Sequence, residues 1–372
     1  MPRWIRATNN KHCPVCNGKS WCSWSDNGSL RYVTCMRNSL GAVKSFVPNN
    51  MSATAYLHII GDGESKPYTQ VLKQTNIASI ERRHRVYGEL LKLSLSAFHK
   101  AYLFERGWSI KELDEVQYVS FPETHVRNEL VSNLAESTKL EGIPGFFIDT
   151  TNTWRFVGGD GILLPVRDEQ NHVTGFQINT QDAILRYYRS GKLDVDKTTA
   201  YPKYIWLSSA PVIVDKGVSG YIKRKTGVGA EVRPHFSGFS KPEDEFDFVH
   251  VKEVIITEGI LKADRIRFST GIPTIGQPGV GVGNNIIAKF VADANAVIVA
   301  YDADWRKNDH VKLAMGRLLT ELSSLHGNDG LFVAVWDEEF GKGLDDVLQN
   351  GFYEQVTFAM AKDWLNEHGV CK

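Results

Sequence analysis

The sequence predicts an α/β protein, α+β overall, built from a small cysteine module, a mixed α+β region and a parallel sheet flanked by helices. Three observations carry that reading. Val254–Thr257 and Ala296–Tyr301 are short, β-branched and nearly continuous in apolar character, like strands buried on both faces of a parallel sheet. Helical spacing from Ile80 to Phe104 gives way to strand-like runs between Trp154 and Tyr204. Four of the five cysteines fall within the first 35 residues, a grouping that favours a metal site over a disulfide framework.

The two apolar runs deliver acids. The first ends at Glu258-Gly259 and the second at Asp302-Ala303-Asp304, and ligands of such sheets gather at the strands' carboxyl ends. Ile260–Phe268 reads as a helix that exits at Gly271-Ile272-Pro273, and Gly259 lets a ligand approach the backbone where strand becomes helix. If the chain stays extended, Asp302 and Asp304 face one side; if Asp302 ends the strand, a turn returns Asp304 to it. Leu331–Trp336 supplies a further strand, and Gly341–Asp346 a third acidic loop carrying Asp345, Asp346 and Lys342, which is positioned to neutralise a phosphate. Hard oxygen donors without nearby His or Cys select Mg²⁺ or Mn²⁺ over zinc. The Gly-rich run Gln277–Gly283 is a further candidate phosphate cradle. The chemistry expected of this set is phosphoryl or nucleotidyl transfer.

Cys13-Pro14-Val15-Cys16 is a zinc knuckle, and Cys22 and Cys35 complete four thiols, with His12 the alternative to Cys22. A module of this size has too little core to fold without a staple. Trp21 and Trp24, among Lys11, Lys19, Arg31 and Arg37, combine aromatic faces with positive charge as single-stranded nucleic-acid sites do. Tryptophans that merely cover the metal are the structural alternative.

Residues 46–80, rich in Pro, Gly and Asn, read as a linker with one short apolar stretch at Ala55–Ile60. A helix follows from Ile80 to Phe104, and Ser109-Ile110-Lys111-Glu112 is a capping box that starts a second at Ile110. His99 and Arg106 read as solvated helix-surface positions. Ile162–Val166 and Val173–Ile178, joined by a turn at Gln170 and Asn171, read as a β-hairpin. Lys203, Lys216 and the cluster Lys223, Arg224, Lys225 and Arg233 are candidate phosphate contacts.

Composition excludes several classes. With 372 residues, 42% of them hydrophobic and 23% charged, the chain is an ordinary globular protein with room for two or three domains. No apolar run is long enough for a bilayer span or a signal-peptide core, so the cytoplasm is the expected location, with no membrane partner. Lys plus Arg and Asp plus Glu both number 43. Nucleic-acid affinity must therefore come from local patches.

Taken together, these residues resemble DnaG-type bacterial primases. Glu258-Gly259 and Asp302-Ala303-Asp304 match the Glu-Gly and Asp-x-Asp motifs of the Toprim domain, which primases share with topoisomerases and certain nucleases. Lys342–Asp346 resembles the late Lys-Asp-Pro-Asp-Glu segment, with Gly343 and Leu344 in place of Asp-Pro and Asp345 the closest acidic match. Tyr102-Leu103 with Arg106-Gly107 resembles the "YL..RG" helix of the primase core. Ile162–Val166, Gly175-Phe176 and Pro202-Lys203-Tyr204 resemble its "FPI…GF…PKY" series, and Asp215-Lys216-Gly217 its following lysine. The basic residue expected before "FPI" is replaced at Gly161 or Ile162, and the arginine closing the next motif is lost within Gly175–Asn179. The likeness is greatest to the divergent primases of phages, plasmids and mobile elements.

The resemblance implies a zinc ribbon over 1–45, a linker over 46–80, a mixed α+β N-terminal subdomain of the primase core over 81–250, a Toprim domain over 251–350 and a C-terminal helix over 351–372. It implies primer synthesis on single-stranded DNA from nucleoside triphosphates, with structural Zn²⁺ on Cys13, Cys16, Cys22 and Cys35. Catalytic Mg²⁺ or Mn²⁺ falls to Glu258, Asp302 and Asp304, with Asp345 or Asp346, and phosphates to Lys203, Lys216 and Lys342. The short stretch after the third acidic loop leaves no room for a helicase domain, so any replicative helicase is a separate partner. A Toprim nuclease and a catalytically inactive, zinc-dependent single-strand-binding protein are the competing readings.

Overall fold

The computed structural model describes residues 4–16, 18–27, 30–36, 44–46, 55–61, 76–149, 151–189, 202–210, 226–239, 252–326 and 329–368. The chain divides into two units, one comprising 1–78, 123–159 and 180–230, the other 79–122, 160–179 and 231–372.

The first unit opens with an antiparallel sheet of β1 (Trp4–Arg6), β2 (Ser23–Asn27), β3 (Leu30–Cys35), β4 (Lys44–Phe46) and β5 (Ala55–Gly61), in the order β1-β2-β3-β5-β4. The expected linker over 46–80 is therefore corrected. Its apolar stretch is β5, which pairs with β3 from Leu30↔Gly61 to Cys35↔Tyr56 and extends the cysteine module to residue 61. Long-range pairing, which Pro and Gly counts do not reveal, decides the matter.

In the second unit, serine caps divide what apolar spacing presents as one long helix. Ser79 caps α1 (Ile80–Leu90), Ser96 caps α2 (Ala97–Glu105), and Ser109 with Glu112 forms the expected capping box of α3 (Ile110–Val116). Leu91–Leu95 therefore link two helices. His99, expected at the surface, is 6% exposed and its Nδ1 lies 2.6 Å from Ser120 Oγ on β6 (Val119–Ser120). The first unit then adds α4 (Thr124–Ser137) and the hairpin of β7 (Phe146–Ile148) and β8 (Trp154–Phe156). The expected hairpin of the second unit is present as β9 (Gly161–Arg167) and β10 (Val173–Thr180), with β6 beside β9. α5 (Gln181–Arg189) and β11 (Tyr204–Trp206) follow in the first unit.

A six-stranded sheet fills the rest of the second unit. Its strands are β12 (His235–Ser237), β13 (Glu253–Glu258), β14 (Thr274–Gln277), β15 (Ala296–Ala300), β16 (Leu331–Val335) and β17 (Thr357–Met360), in the order β12-β14-β13-β15-β16-β17. The inner four run parallel and the two edges antiparallel. The helices are α6 (Ile260–Thr270), α7 (Asn284–Phe290), α8 (Asp309–His326), α9 (Leu344–Gln349) and α10 (Ala361–His368). Both faces are covered, as a continuous apolar strand requires. Val254 and Ile256 join a core with Ile287, Leu318 and Trp364 from α7, α8 and α10, whereas Ile255 joins Ile266 and Val347 from α6 and α9. Burying each such aliphatic side chain contributes about 1.5–3 kcal/mol.

α6 is held to β12 by a buried polar knot. Asp264 accepts from Tyr118 Oη at 2.5 Å, Ser237 Oγ at 2.5 Å and His235 Nε2 at 3.0 Å, and His235 Nδ1 accepts the Arg167 N–H at 3.1 Å. Every partner is satisfied, so the knot fixes the helix that follows Glu258. The tail over 351–372 is corrected too: it contains β17 at the sheet edge before α10.

Candidate active site

Strand order places the acids. From β13 the chain crosses to β14 on one side and then returns past β13 to β15 on the other, so the order reverses between β13 and β15. That reversal opens a crevice at the carboxyl ends of these two strands, the usual ligand position in such sheets. Glu258 ends β13, and Asp302 stands two residues beyond the end of β15.

Gly259 makes the first acid possible. Its φ of +82° belongs to glycine, its N–H donates to Gln277 O at 2.6 Å, and α6 begins at the next residue. At the second acid the turn alternative holds: Asp302 immediately precedes a 3₁₀ turn over Ala303–Arg306, which carries Asp304. The third loop is tied to the second where Ala303 N–H donates to Lys342 O at 2.8 Å. Asp345, 8% exposed, opens α9. Asp346 Oδ2 accepts the Gly343 N–H at 3.1 Å, part of the capping box that opens α9.

The electrostatics are those of crowded carboxylates. Burial, reinforced by Asp302 and Asp304 and opposed by Lys262 and Lys342, raises the Glu258 pKa to about 7. Burial likewise pushes Asp345 up, against the pull of Lys262 and Arg106. Glu258 Oε1 and Asp345 Oδ1 are buried without a hydrogen-bond partner. Such orphaned oxygens fit a hard cation, which the all-oxygen donor set would select.

Lys262 is the residue the sequence reading missed. It lies one helical turn after Glu258, where it looks like any polar position of an amphipathic helix. Its ammonium pairs with Asp302 Oδ1. Lys342, read as a phosphate contact, lies 3.8 Å from Asp302 and 3.6 Å from Asp304. Arg106, expected at the surface, donates to Tyr102 Oη at 3.0 Å and acts on Asp345.

Glu258 carries a testable pH dependence. A carboxyl whose folded pKa lies above its unfolded value lends its full stability below the unfolded pKa and loses it as pH rises through about 7. In magnesium-free buffer Glu258→Gln is therefore expected to stabilise the fold near pH 8 by on the order of 1–2 kcal/mol, after partial solvent screening, and to change nothing near pH 4. Thermal melts at the two pH values check this; equal shifts at both contradict it.

The cysteine module forms a second centre. Donor atoms of Cys13, Cys16, Cys22 and Cys35 all lie within 4.8 Å of one another, the one such group of three or more His, Cys, Asp or Glu among the described residues. Cys16 and Cys22 Sγ are 3.7 Å apart, close to the roughly 3.8 Å edge of a tetrahedron with Zn–S bonds of about 2.3 Å. Burial drives the Cys22 thiol up to about 12 despite the Met36 N–H, while Cys16, whose burial is outweighed by the Gly18 backbone and its fellow thiols, falls to about 7. A cation is what would let all four ionise. His12 is not among them, and its Nε2 lies 3.1 Å from Asn9 O. The ribbon's four cysteines thus match structural zinc.

The two tryptophans separate. Trp24 is corrected from a stacking residue to a core residue: it is 8% exposed and packs with Ala7, Val33 and the cysteines. Trp21 is 68% exposed and held at a φ of +66°, a conformation uncommon for a bulky side chain. Trp24→Ala is expected to cost about 3–5 kcal/mol of module stability, and Trp21→Ala less than about 0.5 kcal/mol. Denaturation followed by module-specific amide signals distinguishes them.

Lys203 belongs to the first unit, with its ammonium 5.6 Å from the Tyr204 ring centroid. Lys216, Lys223, Arg224, Lys225 and Arg37 lie outside the described residues. No helix among the described residues is long and apolar enough to cross a membrane.

A family model described as a domain of unknown function, DUF3854, matches residues 249–354. Comparison with curated proteins gives no match. Among solved structures, the chain is similar to the zinc-binding and RNA polymerase domains of Aquifex aeolicus primase, with 18% identity and a TM-score of 0.46 over 78% of this chain and 66% of that one. It therefore spans just under two thirds of that structure. It is also similar to the RNA polymerase domain of Mycobacterium tuberculosis primase DnaG, at 12% identity and a TM-score of 0.49 over 79% of this chain and 89% of that one. A DnaG primase catalytic domain bound to single-stranded DNA matches at 13% identity and a TM-score of 0.46, over 77% of this chain and 84% of that one.

Proposed function

We propose that this protein is a DNA primase of the Toprim class, which makes short RNA primers on single-stranded DNA by metal-dependent nucleotidyl transfer. The observation that carries the reading is the convergence of Glu258, Asp302, Asp304 and Asp345 around the crevice between β13 and β15, two of them with unpartnered buried oxygens. The motif order from cysteine ribbon to acidic crevice, quoted above, supports polymerisation over hydrolysis.

Glu258, Asp302, Asp304 and Asp345 would hold magnesium or manganese, which when bound supplies positive charge to the triphosphate and the leaving pyrophosphate. The chain's own contribution is positional. The Gly259 turn and the Asp264 knot fix the Glu258 end of α6, and the Ala303–Lys342 bond keeps the second and third acidic loops together. Lys342, half exposed, stands beside Asp302 and Asp304, where its ammonium would meet an incoming phosphate. Lys203 and Lys216 contact nucleotide or template phosphates, and Trp21 stacks on a template base.

The partners are thus single-stranded template and nucleoside triphosphates, in a replication role in the host cytoplasm and within a mobile element. Incubating the protein with labelled ribonucleotides and single-stranded DNA tests the reading. A primase lengthens a new strand on the template; a nuclease would shorten the DNA and incorporate nothing.

A further inference from the structure

We infer, on the nucleotidyl-transfer reading's premise that a divalent cation binds in the crevice, that Lys262 is a positioning residue: it holds the Asp302 carboxylate by Oδ1 and so leaves Oδ2 as the oxygen this acid turns toward the cation.

The two oxygens of Asp302 face different neighbours. Oδ1 pairs with the ammonium of Lys262, whose side chain is 24% exposed, whereas Oδ2 looks to Lys342, at 49% exposure and 3.8 Å away. The deep partner closes one side of the carboxylate, and the outer partner marks its open side. Lys342 Nζ also lies 3.6 Å from Asp304 Oδ2, so one cationic atom stands between oxygens of two acids. Both separations exceed the roughly 2.7–2.9 Å of a charge-assisted hydrogen bond. Lys342 thus shows where a small cation would meet Asp302 and Asp304 without itself closing on either.

Three features keep the Lys262 ammonium in place. It projects from the first turn of α6, a helix anchored by the Gly259 N–H on Gln277 O at 2.6 Å and by the buried Asp264 knot. Its pairing with Asp302, whose side chain is 9% exposed, resists breaking because that would leave a buried charge uncompensated. Gly343 supplies the room: a Cβ there would lie 3.3 Å from both Cε and Nζ of Lys262 and 2.3 Å from Asp345 Oδ1, so any larger residue would press on the tip of the lysine. Asp302 is held from a second side too, since the N–H of the next residue, Ala303, donates to Lys342 O. Backbone and carboxylate are thereby fixed from two elements, α6 and the third acidic loop, as a reacting geometry requires.

This gives Lys262 an indirect role. Engaged through Oδ1, Asp302 is kept from chelating a cation with both oxygens, and Oδ2 alone sets the cation's place relative to Asp304. Without the ammonium, both oxygens are free to chelate and the repulsion on an entering cation is gone. The cation then binds more tightly but out of place. Affinity and rate moving in opposite directions mark a positioning residue; a residue needed only for folding would lower both.

The experiment measures Mn²⁺ affinity by electron paramagnetic resonance on the full, zinc-loaded chain, with the single-turnover rate of nucleotide incorporation beside it. Lys262→Met is expected to bind magnesium-displaceable Mn²⁺ at least about 3-fold more tightly, because a nearby positive charge is gone. Its rate is expected to fall roughly 10- to 100-fold. In an Asp302→Asn background the same substitution is expected to change the rate by less than about 2-fold, since Lys262 acts through that carboxylate. Weaker Mn²⁺ binding by folded Lys262→Met, an unchanged rate, or equal rate losses in both backgrounds would overturn the inference and leave the nucleotidyl-transfer reading intact. Mn²⁺ bound by wild type without incorporation would overturn that reading alone, and the affinities then decide the inference. No displaceable Mn²⁺ in wild type would overturn both. If Lys262→Met fails to fold, a crystal structure of wild type with Mn²⁺ decides: Lys262 on Oδ1 with the ion on Oδ2 supports the inference, and an ion on Oδ1 contradicts it.

Discussion

Asp302→Asn is expected to lower templated nucleotide incorporation by roughly 10³-fold, with the protein still folded. Asp302 is where the site's interactions meet: its carboxylate pairs with Lys262, lies 3.8 Å from Lys342 and raises the Glu258 carboxyl through its own charge. Asparagine keeps the shape and an oxygen for Lys262, so the turn over Ala303–Arg306 and its bond to Lys342 survive. What is lost is the charge that faces two ammoniums and that would bind a divalent ion. Because the Glu258 pKa is held up partly by Asp302, the variant is also expected to lower it toward the ordinary carboxylate range. A single-turnover assay at saturating template separates lost chemistry from lost binding. Activity within about 10-fold of wild type would remove Asp302 from the reacting centre.

Zinc removal is expected to unfold the cysteine module outright. The Cys13, Cys16, Cys22 and Cys35 thiols occupy the centre of a core whose other members are few, chiefly Ala7, Trp24 and Val33. Such a core contributes a few kcal/mol, whereas structural zinc contributes about 10–16 kcal/mol of apparent binding free energy near neutral pH. The sheet built from β1 to β5 depends on the same residues, since Cys35 ends β3 opposite Tyr56 and Trp24 pairs with Val33. Cys22→Ser, which removes a buried thiol whose pKa burial raises, should abolish protection of the Val33 and Cys35 amides in hydrogen exchange. Amides of β13 and β15 should keep theirs. A module that stays protected without metal would show that its fold does not depend on zinc.

Much of this was legible beforehand because it depends on local pattern. The Val254–Thr257 and Ala296–Tyr301 runs declare buried parallel strands, and the acids that follow can only sit at the carboxyl ends. Ser109 and Glu112 announce a helix start that the structure reproduces bond for bond. Other features depend on partners distant in sequence. β14 is four residues with a glycine at its centre, required because a Cβ at Gly276 would collide with Gly259 O; such a strand has no periodicity to read. β5 gains its identity only from β3. Trp21 and Trp24 have the same composition around them, and only strand pairing buries one and exposes the other. Lys262 escaped because a charged residue on a helix is ordinary until the fold points it at Asp302.

The central claim, nucleotide polymerisation in the β13–β15 crevice, is most directly tested by templated primer synthesis from labelled ribonucleotides on single-stranded DNA, comparing wild type with Asp302→Asn across magnesium and manganese. The account predicts short, template-dependent products from wild type and almost none from the variant. Template shortening without incorporation, or no product from either protein in both metals, would contradict it.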